Sequence, residues 1–211
     1  MKKKIAILGS TGSIGKSTLK IIKNDLKNFD IILLTTNKNY KILLGQIKIF
    51  NPRNVIINDL KYFRIISEKF KNNKINIYNN FNDFFKNFNN RIDYTMCSIS
   101  GLDGLQPTIN IIKFTRAIGI ANKESIICGW SLIKKQLDKH KTSFVPIDSE
   151  HFSIWNLTKG YKDIDVEQII ITASGGPFLN LPKNKFKSIS PKKAINHPRW
   201  KMGKKISIDS A

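Results

Sequence analysis

Cysteine is nearly absent: Cys97 and Cys128 are the only two in 211 residues. They lie far apart and outside any CxxC or Cys/His spacing, so neither a disulfide framework nor a thiolate zinc site is indicated. No apolar run approaches the ~20 residues that a membrane-spanning helix needs. Acidic side chains are scarce, 15 Asp and Glu against 36 Lys and Arg, for a formal net charge of +21. Arginine is scarce too, and only Arg53, Arg64, Arg91, Arg116 and Arg199 offer the planar fork used on phosphates and bases. The excess is therefore diffuse lysine, with Lys2-Lys3-Lys4 its longest run. It favours anionic partners but draws no stripe of the kind that specific nucleic-acid recognition uses. With 41% hydrophobic and 24% charged residues, the composition is that of a globular chain. Its length suits one large or two small domains of ~100–200 residues with a core that needs no disulfides. Met1 stands almost directly before the apolar stretch Ile5–Leu8, leaving no room for a signal or transit peptide. The expected setting is the cytoplasm, with no membrane partner.

Short apolar runs alternate with segments of helical period. Strands are expected at Ile5–Leu8, Phe29–Leu34, Val55–Ile57, Ile75–Tyr78, Asp93–Ile99 and Ala117–Ala121. Helices are expected between them, near Ser13–Asn24, Lys41–Phe50, Lys61–Phe70, Phe81–Phe88, Leu105–Lys113 and Lys123–Lys139. This alternation predicts an α/β fold, a doubly wound and mainly parallel sheet with helices on both faces. After Phe144-Val145-Pro146 the pattern turns to loops rich in Gly, Pro, Ser and His, with strands expected at Gln168–Thr172 and Lys205–Ile208. A boundary near Pro146 is expected, giving domains 1–146 and 147–211.

Gly9-Ser10-Thr11-Gly12-Ser13-Ile14-Gly15 follows the first strand and opens the first helix, where a dinucleotide-binding turn belongs. Glycine serves there for the tight turn, for close approach to a pyrophosphate and for helix packing, while the helix N-terminus presents free N–H groups. Thr11, Gly12, Ser13 and Ile14 are the candidate contacts. The plainer reading is a Gly-rich turn that starts a helix without a ligand. The spacing is GxxGxxG, and the end of the second strand reads Thr35-Thr36-Asn37-Lys38-Asn39. No carboxylate stands there to take a ribose 2′-OH, and Lys38 suits a 2′-phosphate, so Asn37, Lys38 and Asn39 point to NADPH over NADH.

Four later segments join this turn: Ala121-Asn122-Lys123-Glu124-Ser125, Pro146-Ile147-Asp148-Ser149-Glu150-His151, Ala173-Ser174-Gly175-Gly176-Pro177-Phe178, and the stretch from His197-Pro198-Arg199-Trp200 through Lys201-Met202-Gly203-Lys204-Lys205-Ile206-Ser207. In this order the five segments resemble the 1-deoxy-D-xylulose 5-phosphate reductoisomerase family over essentially the whole chain. The resemblance implies a Rossmann-like NADPH domain followed by part of an α+β catalytic domain. It implies isomerisation and reduction of the phosphosugar to 2-C-methyl-D-erythritol 4-phosphate in non-mevalonate isoprenoid synthesis. NADPH and a divalent metal (Mg²⁺, Mn²⁺ or Co²⁺) would be the cofactors, and the full-length family forms a homodimer.

Asp148 and Glu150 are hard oxygen ligands two residues apart, on one side of an extended segment. The alternative is capping, with Asp148 or Ser149 at the start of a helix from about Glu150 through Asn156. The resemblance implies that Asp148 and Glu150 bind the metal and that Ser149 and Lys123 touch substrate, with Asn122 and Glu124 meeting the cofactor. Read alone, Asn-Lys-Glu is a helix start after a strand. Ser174 before Gly175-Gly176 would form an anion nest for the substrate phosphate, or an ordinary turn. By the same resemblance Ser174, His197 and Ser210 contact substrate, Gly203 approaches the nicotinamide, and Trp200 sits on a flap that excludes water. His151 receives no role.

The chain stops at Ile208-Asp209-Ser210-Ala211, whereas the family continues into a third metal carboxylate and a helical domain. A site of two carboxylates is expected to hold Mg²⁺ loosely. Asn37 stands where the family usually has Gly, a tolerable change because Asn enters left-handed backbone readily. Three rivals remain: a non-catalytic NADP-binding remnant, a sugar or semialdehyde dehydrogenase sharing only the first domain, and a basic nucleic-acid binder with weak, salt-sensitive affinity.

Overall fold

A computed structural model describes residues 1–162, 165–172, 175–201 and 203–210. Met1–Lys159 form one compact unit and Gly160–Ala211 a second. The first unit runs on past Pro146 because the helix that follows touches the last strand.

Seven strands make one sheet: β1 (Lys3–Leu8), β2 (Phe29–Thr36), β3 (Asn54–Ile57), β4 (Asn76–Tyr78), β5 (Ile92–Cys97), β6 (Thr115–Ile120) and β7 (Ser143–Pro146). Their order is β4-β3-β2-β1-β5-β6-β7, and every neighbouring pair is parallel. The apolar runs read as strands because a parallel sheet is buried on both faces. In β1 the pleat sends Ile5 and Ile7 to one core and Ala6 and Leu8 to the other.

Helices α1 (Ser13–Lys23), α2 (Tyr40–Phe50) and α3 (Leu60–Lys69) cover the first core with Leu19, Ile22, Leu43, Ile47 and Ile66. On the other face, α4 (Phe81–Asn87), α5 (Leu105–Ile112) and α6 (Lys123–His140) contribute Phe84, Ile111, Ile112, Ile133 and Leu137. The chain thus winds outward from β1 to β4, returns to β5 on the other side of β1, and winds outward again. The crossover makes the gap between the β1 and β5 tips a topological switch point, where ligands of open α/β sheets bind. Helix α7 (Ser149–Thr158) follows β7 and buries no residue.

In the second unit, described helices are a 3₁₀ stretch Lys183–Ser188, α8 (Pro191–Ala194) and α9 (Lys204–Asp209). Two expected strands do not form. Gln168–Thr172 carries no strand, and Ile169, Ile170 and Ile171 are exposed. A β-branched run favours extended backbone, but a strand exists only through a ladder with a neighbour. Lys205–Ile208 lies inside α9 instead: with only four residues, alternation does not separate the two periods. A lone helix satisfies its own backbone, as the Ser207 amide does on the Gly203 carbonyl at 3.0 Å. No helix among the described residues is long and apolar enough to cross a membrane.

The two thiols differ sharply in environment. Cys97 ends β5 inside the core, and burial pushes its pKa up to about 12 against the lowering hydrogen bond with Thr108. Cys128 on α6 is exposed. A disulfide reagent at about pH 8 should therefore titrate one thiol in the native protein and two in denaturant. Two fast-reacting thiols in the native state would contradict this burial.

Candidate functional site

All seven strands point the same way, so their carboxyl ends share one edge, and the turns that follow them carry the candidate residues of the first unit. The turn after β1 is built by its own hydroxyls and amides. Gly9 donates its N–H to Thr35 Oγ1 at 2.8 Å. Ser10 Oγ donates to Gln46 Oε1 at 2.7 Å, and Gln46 Nε2 returns a bond to the Ser10 carbonyl at 2.8 Å. Thr11 and Thr36 hydroxyls meet at 2.7 Å. From β5, Ser98 Oγ donates to the Leu8 carbonyl at 2.8 Å. The Ser10 and Thr11 side chains thus brace the turn from within, and Thr11 offers a ligand its backbone more readily than its hydroxyl.

The three glycines are not equivalent. Gly9 has φ +82°, and a Cβ there would fall 2.8 Å from the Ser98 carbonyl oxygen. A Cβ on Gly15 would strike the Gly9 carbonyl oxygen and lie 2.6 Å from Ser10 Cα. Gly12 has φ −74°, and its Cβ would make ordinary contact, 3.4 Å from the Gly9 oxygen. Gly12, Ser13 and Ile14 are exposed. No side chain caps α1, and no acidic residue stands in its first turn. By contrast α3, α4, α6 and α7 are capped by Asp59, Asn80, Asn122 and Asp148. The first amides of α1 therefore face the edge with their partial positive charge intact.

Asn37, Lys38 and Asn39 lie exposed beyond β2 and lead into α2, whose N-terminus also has no side-chain cap. Beyond β6, Asn122 is buried and spent on the fold. Its Nδ2 donates to the Ile99 and Gly101 carbonyls at 2.5 and 2.7 Å, and its Oδ1 accepts from Ser125 N at 3.0 Å. It ties the loop after β5 to the start of α6. Lys123, exposed, and Glu124 follow in the first turn of α6.

Beyond β7, Asp148 caps α7. Its Oδ1 accepts from the His151 amide at 2.9 Å and lies 2.6 Å from His151 Nδ1. Oδ2 takes part in neither contact. Burial raises the Asp148 pKa, but the His151 amide and ring and the Lys123 charge outweigh it and hold the carboxyl below its ordinary value. That Lys123 acts on Asp148 electrostatically follows from their places at the tips of neighbouring strands. Glu150 and Ser149 are exposed beside them, with Ser149 Oγ donating to Glu150 Oε2 at 3.0 Å. With strands spaced by about 4.8 Å, the Gly12 turn stands roughly 10 Å from the β6 tip and 14 Å from the β7 tip.

In the second unit, His197 is buried, and its Nδ1 accepts from the amides of Arg199 and Trp200 at 3.2 and 3.0 Å. The ring thereby shapes the loop that carries exposed Trp200. Ser210 Oγ donates to the Ser207 carbonyl at 3.1 Å, and Gly203 precedes α9 in open space. Ser174 lies outside the described residues. Sequence reasoning missed Gln46, Thr35, Ser98 and the role of His151. Gln46 alone left a trace, as an amide in the apolar stripe of α2. An apolar hollow of about 500 Å³ between α1 and β5, lined by Ile5, Ile21, Ile22, Phe29, Tyr94 and Met96 among others, lies at the amino-terminal half of the strands, away from these groups. Its lining is mainly apolar, with Lys3, Thr18 and Asp93 as its charged or hydroxyl members besides Tyr94.

Residues 5–129 match the family model of 1-deoxy-D-xylulose 5-phosphate reductoisomerase, and residues 144–211 match that of the C-terminal domain of the same enzyme. The reductoisomerase of Pelagibacter ubique (strain HTCC1062) is 63% identical over 211 residues, 99% of this chain and 54% of the relative. That of Persephonella marina is 43% identical, covering 99% of this chain and 52% of the relative. Among solved structures, the reductoisomerase from Zymomonas mobilis in complex with NADPH is similar with a TM-score of 0.87 at 31% identity, covering 100% of this chain and 54% of that one. A DOX-P reductoisomerase in complex with NADPH, fosmidomycin and magnesium gives 0.83 at 32% identity over 99% of this chain and 54% of its own. The chain spans about half the length of the curated relatives it matches. With both models matched in order along one chain, it belongs to the 1-deoxy-D-xylulose 5-phosphate reductoisomerase family.

Proposed function

We propose that this chain carries the NADPH site and part of the catalytic site of an enzyme that isomerises and reduces 1-deoxy-D-xylulose 5-phosphate to 2-C-methyl-D-erythritol 4-phosphate. The observation that carries this reading is Gly12. The fold itself demands glycine at 9 and 15, but it leaves room for a Cβ at 12. That room opens on the uncapped start of α1, where a pyrophosphate would need it.

Residues 1–146 serve the cofactor. Backbone amides at Gly12, Ser13 and Ile14 hold the pyrophosphate, with Thr11 beside them, while Asn37, Lys38 and Asn39 receive the 2′-phosphate. Asn122 holds the loop after β5 in place, with Glu124 next to it on α6. Residues 147–211 carry the metal and substrate groups. Asp148 and Glu150 fit Mg²⁺, which is commonly held through one or two carboxylates with waters and substrate oxygens completing its shell. His151 fixes the Asp148 carboxylate by occupying Oδ1. Lys123, Ser149, Ser174, His197 and Ser210 bind substrate, and Gly203 adjoins the nicotinamide. When bound, NADPH supplies the hydride and the cation acts as Lewis acid on the sugar oxygens. Lys123 adds positive charge beside the two carboxylates, and Trp200 excludes water from the flap side. The lysine excess suits a sugar phosphate, whereas Arg53 and Arg116 are already paired with Asp30 and Asp93. The unpaired thiols suit a reducing cytoplasm.

A second reading, NADP binding without turnover, draws on the donor count: among the described residues no group of three or more His, Cys, Asp or Glu side chains could hold a metal. The two readings separate on the purified chain given NADPH, Mn²⁺ and 1-deoxy-D-xylulose 5-phosphate. Oxidation of NADPH supports the enzyme; binding without oxidation supports the remnant.

Gly12→Ala should melt near the wild type yet lose about tenfold or more in NADPH affinity. Gly15→Ala should lose roughly 1–3 kcal/mol of stability through overpacking. Titration calorimetry and thermal melts check both, and an unchanged NADPH affinity in Gly12→Ala would sink the cradle.

Asp148→Asn keeps an N-cap oxygen but removes the charge, whereas Asp148→Ala removes both. The melting temperature should fall only for Ala, by about 1 kcal/mol of cap energy. Metal-dependent turnover should fall in both variants by about a hundredfold, as loss of a charged ligand implies. Full turnover in Asp148→Asn would leave the residue a cap and nothing more.

A further inference from the structure

Tyr40 opens α2 and Tyr62 lies in the first turn of α3, and their rings stack with centroids 4.4 Å apart and planes inclined by 15°. We propose that this stacked pair is a positioning clasp that fixes the Asn37–Asn39 loop, and so sets the preference for a 2′-phosphorylated dinucleotide over its unphosphorylated form. The inference rests on the cofactor reading above.

The two tyrosines close a ring of contacts around the loop. Tyr40 N donates to the Lys38 carbonyl at 2.8 Å, and Asp59 N donates to the Asn37 carbonyl at 3.0 Å. The Asp59 carboxylate accepts from Tyr62 N at 3.2 Å, and the stacked rings join Tyr62 back to Tyr40. Each link fixes backbone, so the Lys38 side chain springs from an anchored main chain. Below the loop, Asn79 Nδ2 donates to the Ile57 and Asn58 carbonyls at 3.1 and 3.0 Å and steadies the β3 end from which Asp59 comes.

The pair packs against the edge of the core, and from there it also reaches the loop. The inner contacts of α2 and α3 are made by buried Leu43, Ile47 and Ile66, while both tyrosines sit half-buried at the rim. Asp59, the acid nearest to the loop in the hydrogen-bond network, turns Oδ1 to the α3 amide of Tyr62. The edge also offers Lys38, the uncapped start of α2 and Lys61, whose Nζ lies 5.9 Å from the Tyr62 ring centroid. All three favour an anion, and only the phosphorylated dinucleotide brings one to this position.

An aromatic pair of this kind stabilises by an amount that converts to about three- to tenfold in an equilibrium constant. The test measures dissociation constants for NADPH and NADH by titration calorimetry on the whole chain, with a thermal melt of each variant. Tyr62→Leu should weaken NADPH about three- to tenfold and leave NADH unchanged, and Tyr62→Phe should restore the ratio. Lys38→Ala should lower the ratio as well. An unchanged ratio in Tyr62→Leu, equal losses for both nucleotides, or failure of Tyr62→Phe to rescue would each overturn the clasp. If Tyr62→Leu does not fold, the ratio is read on Tyr40→Leu, and unfolding of both assigns the stack to folding alone and overturns the proposal. Wild-type chain that binds both nucleotides equally would defeat the clasp but leave the cradle standing. Wild-type chain that binds neither would defeat both.

Discussion

The close approach of α1 to the turn after β1 is the constraint on which the rest of the edge depends. Gly15 lies on Gly9 and Ser10 with no space for a side chain, and Gly9 lies against the Ser98 carbonyl. Three elements, β1, α1 and the loop after β5, therefore meet at backbone distance. Because they meet there, the start of α1 cannot drift away from the sheet, and its amides stand over the switch point between β1 and β5. The hydroxyls of Ser10, Thr11, Thr35 and Ser98 secure the same junction from inside. A more open turn could still cap a helix, but its amides would not be held at the crossover of the sheet.

The winding pattern was legible in the sequence because each strand of a parallel sheet is apolar on both faces and each helix carries its own stop and start residues. Asp59, Asn80 and Asn122 each cap the helix that follows. The second unit was legible less well. The Ile169–Ile171 run has strand propensity, yet its pairing depends on a neighbour that no local pattern can report. Lys204–Asp209 is short enough for either period to fit, and there the local hydrogen bonds of a helix prevailed.

At the site, residue types were legible and their employment was not. The three glycines look alike in sequence, but two answer to packing and one does not. Asn122, expected to meet a cofactor, also divides its side-chain amide among Ile99, Gly101 and Ser125, which the sequence did not announce. Gln46 reaches Ser10 from 36 positions away, and Ser98 reaches Leu8 across 90. Such contacts follow from strand order, which periodicity alone leaves open. His151 was passed over for a related reason. An Asp three residues before a His is common, and only the α7 geometry turns the pair into a double contact on one oxygen.

At Asp148 the cap is observed, and its geometry is compatible with the ligation proposed above. A carboxylate has two oxygens, and α7 uses only Oδ1. Capping fixes the orientation of the group, and fixed orientation is what a cation site needs from a ligand. The charge is preserved as well, since the His151 contacts and the Lys123 charge keep the carboxyl ionised against the effect of burial. Glu150 is the second residue of the helix that Asp148 caps, so the two carboxylates do not stand on one side of an extended segment as the two-residue spacing suggested. Under the function proposed above, capping and cation binding would fall on different atoms of one carboxylate.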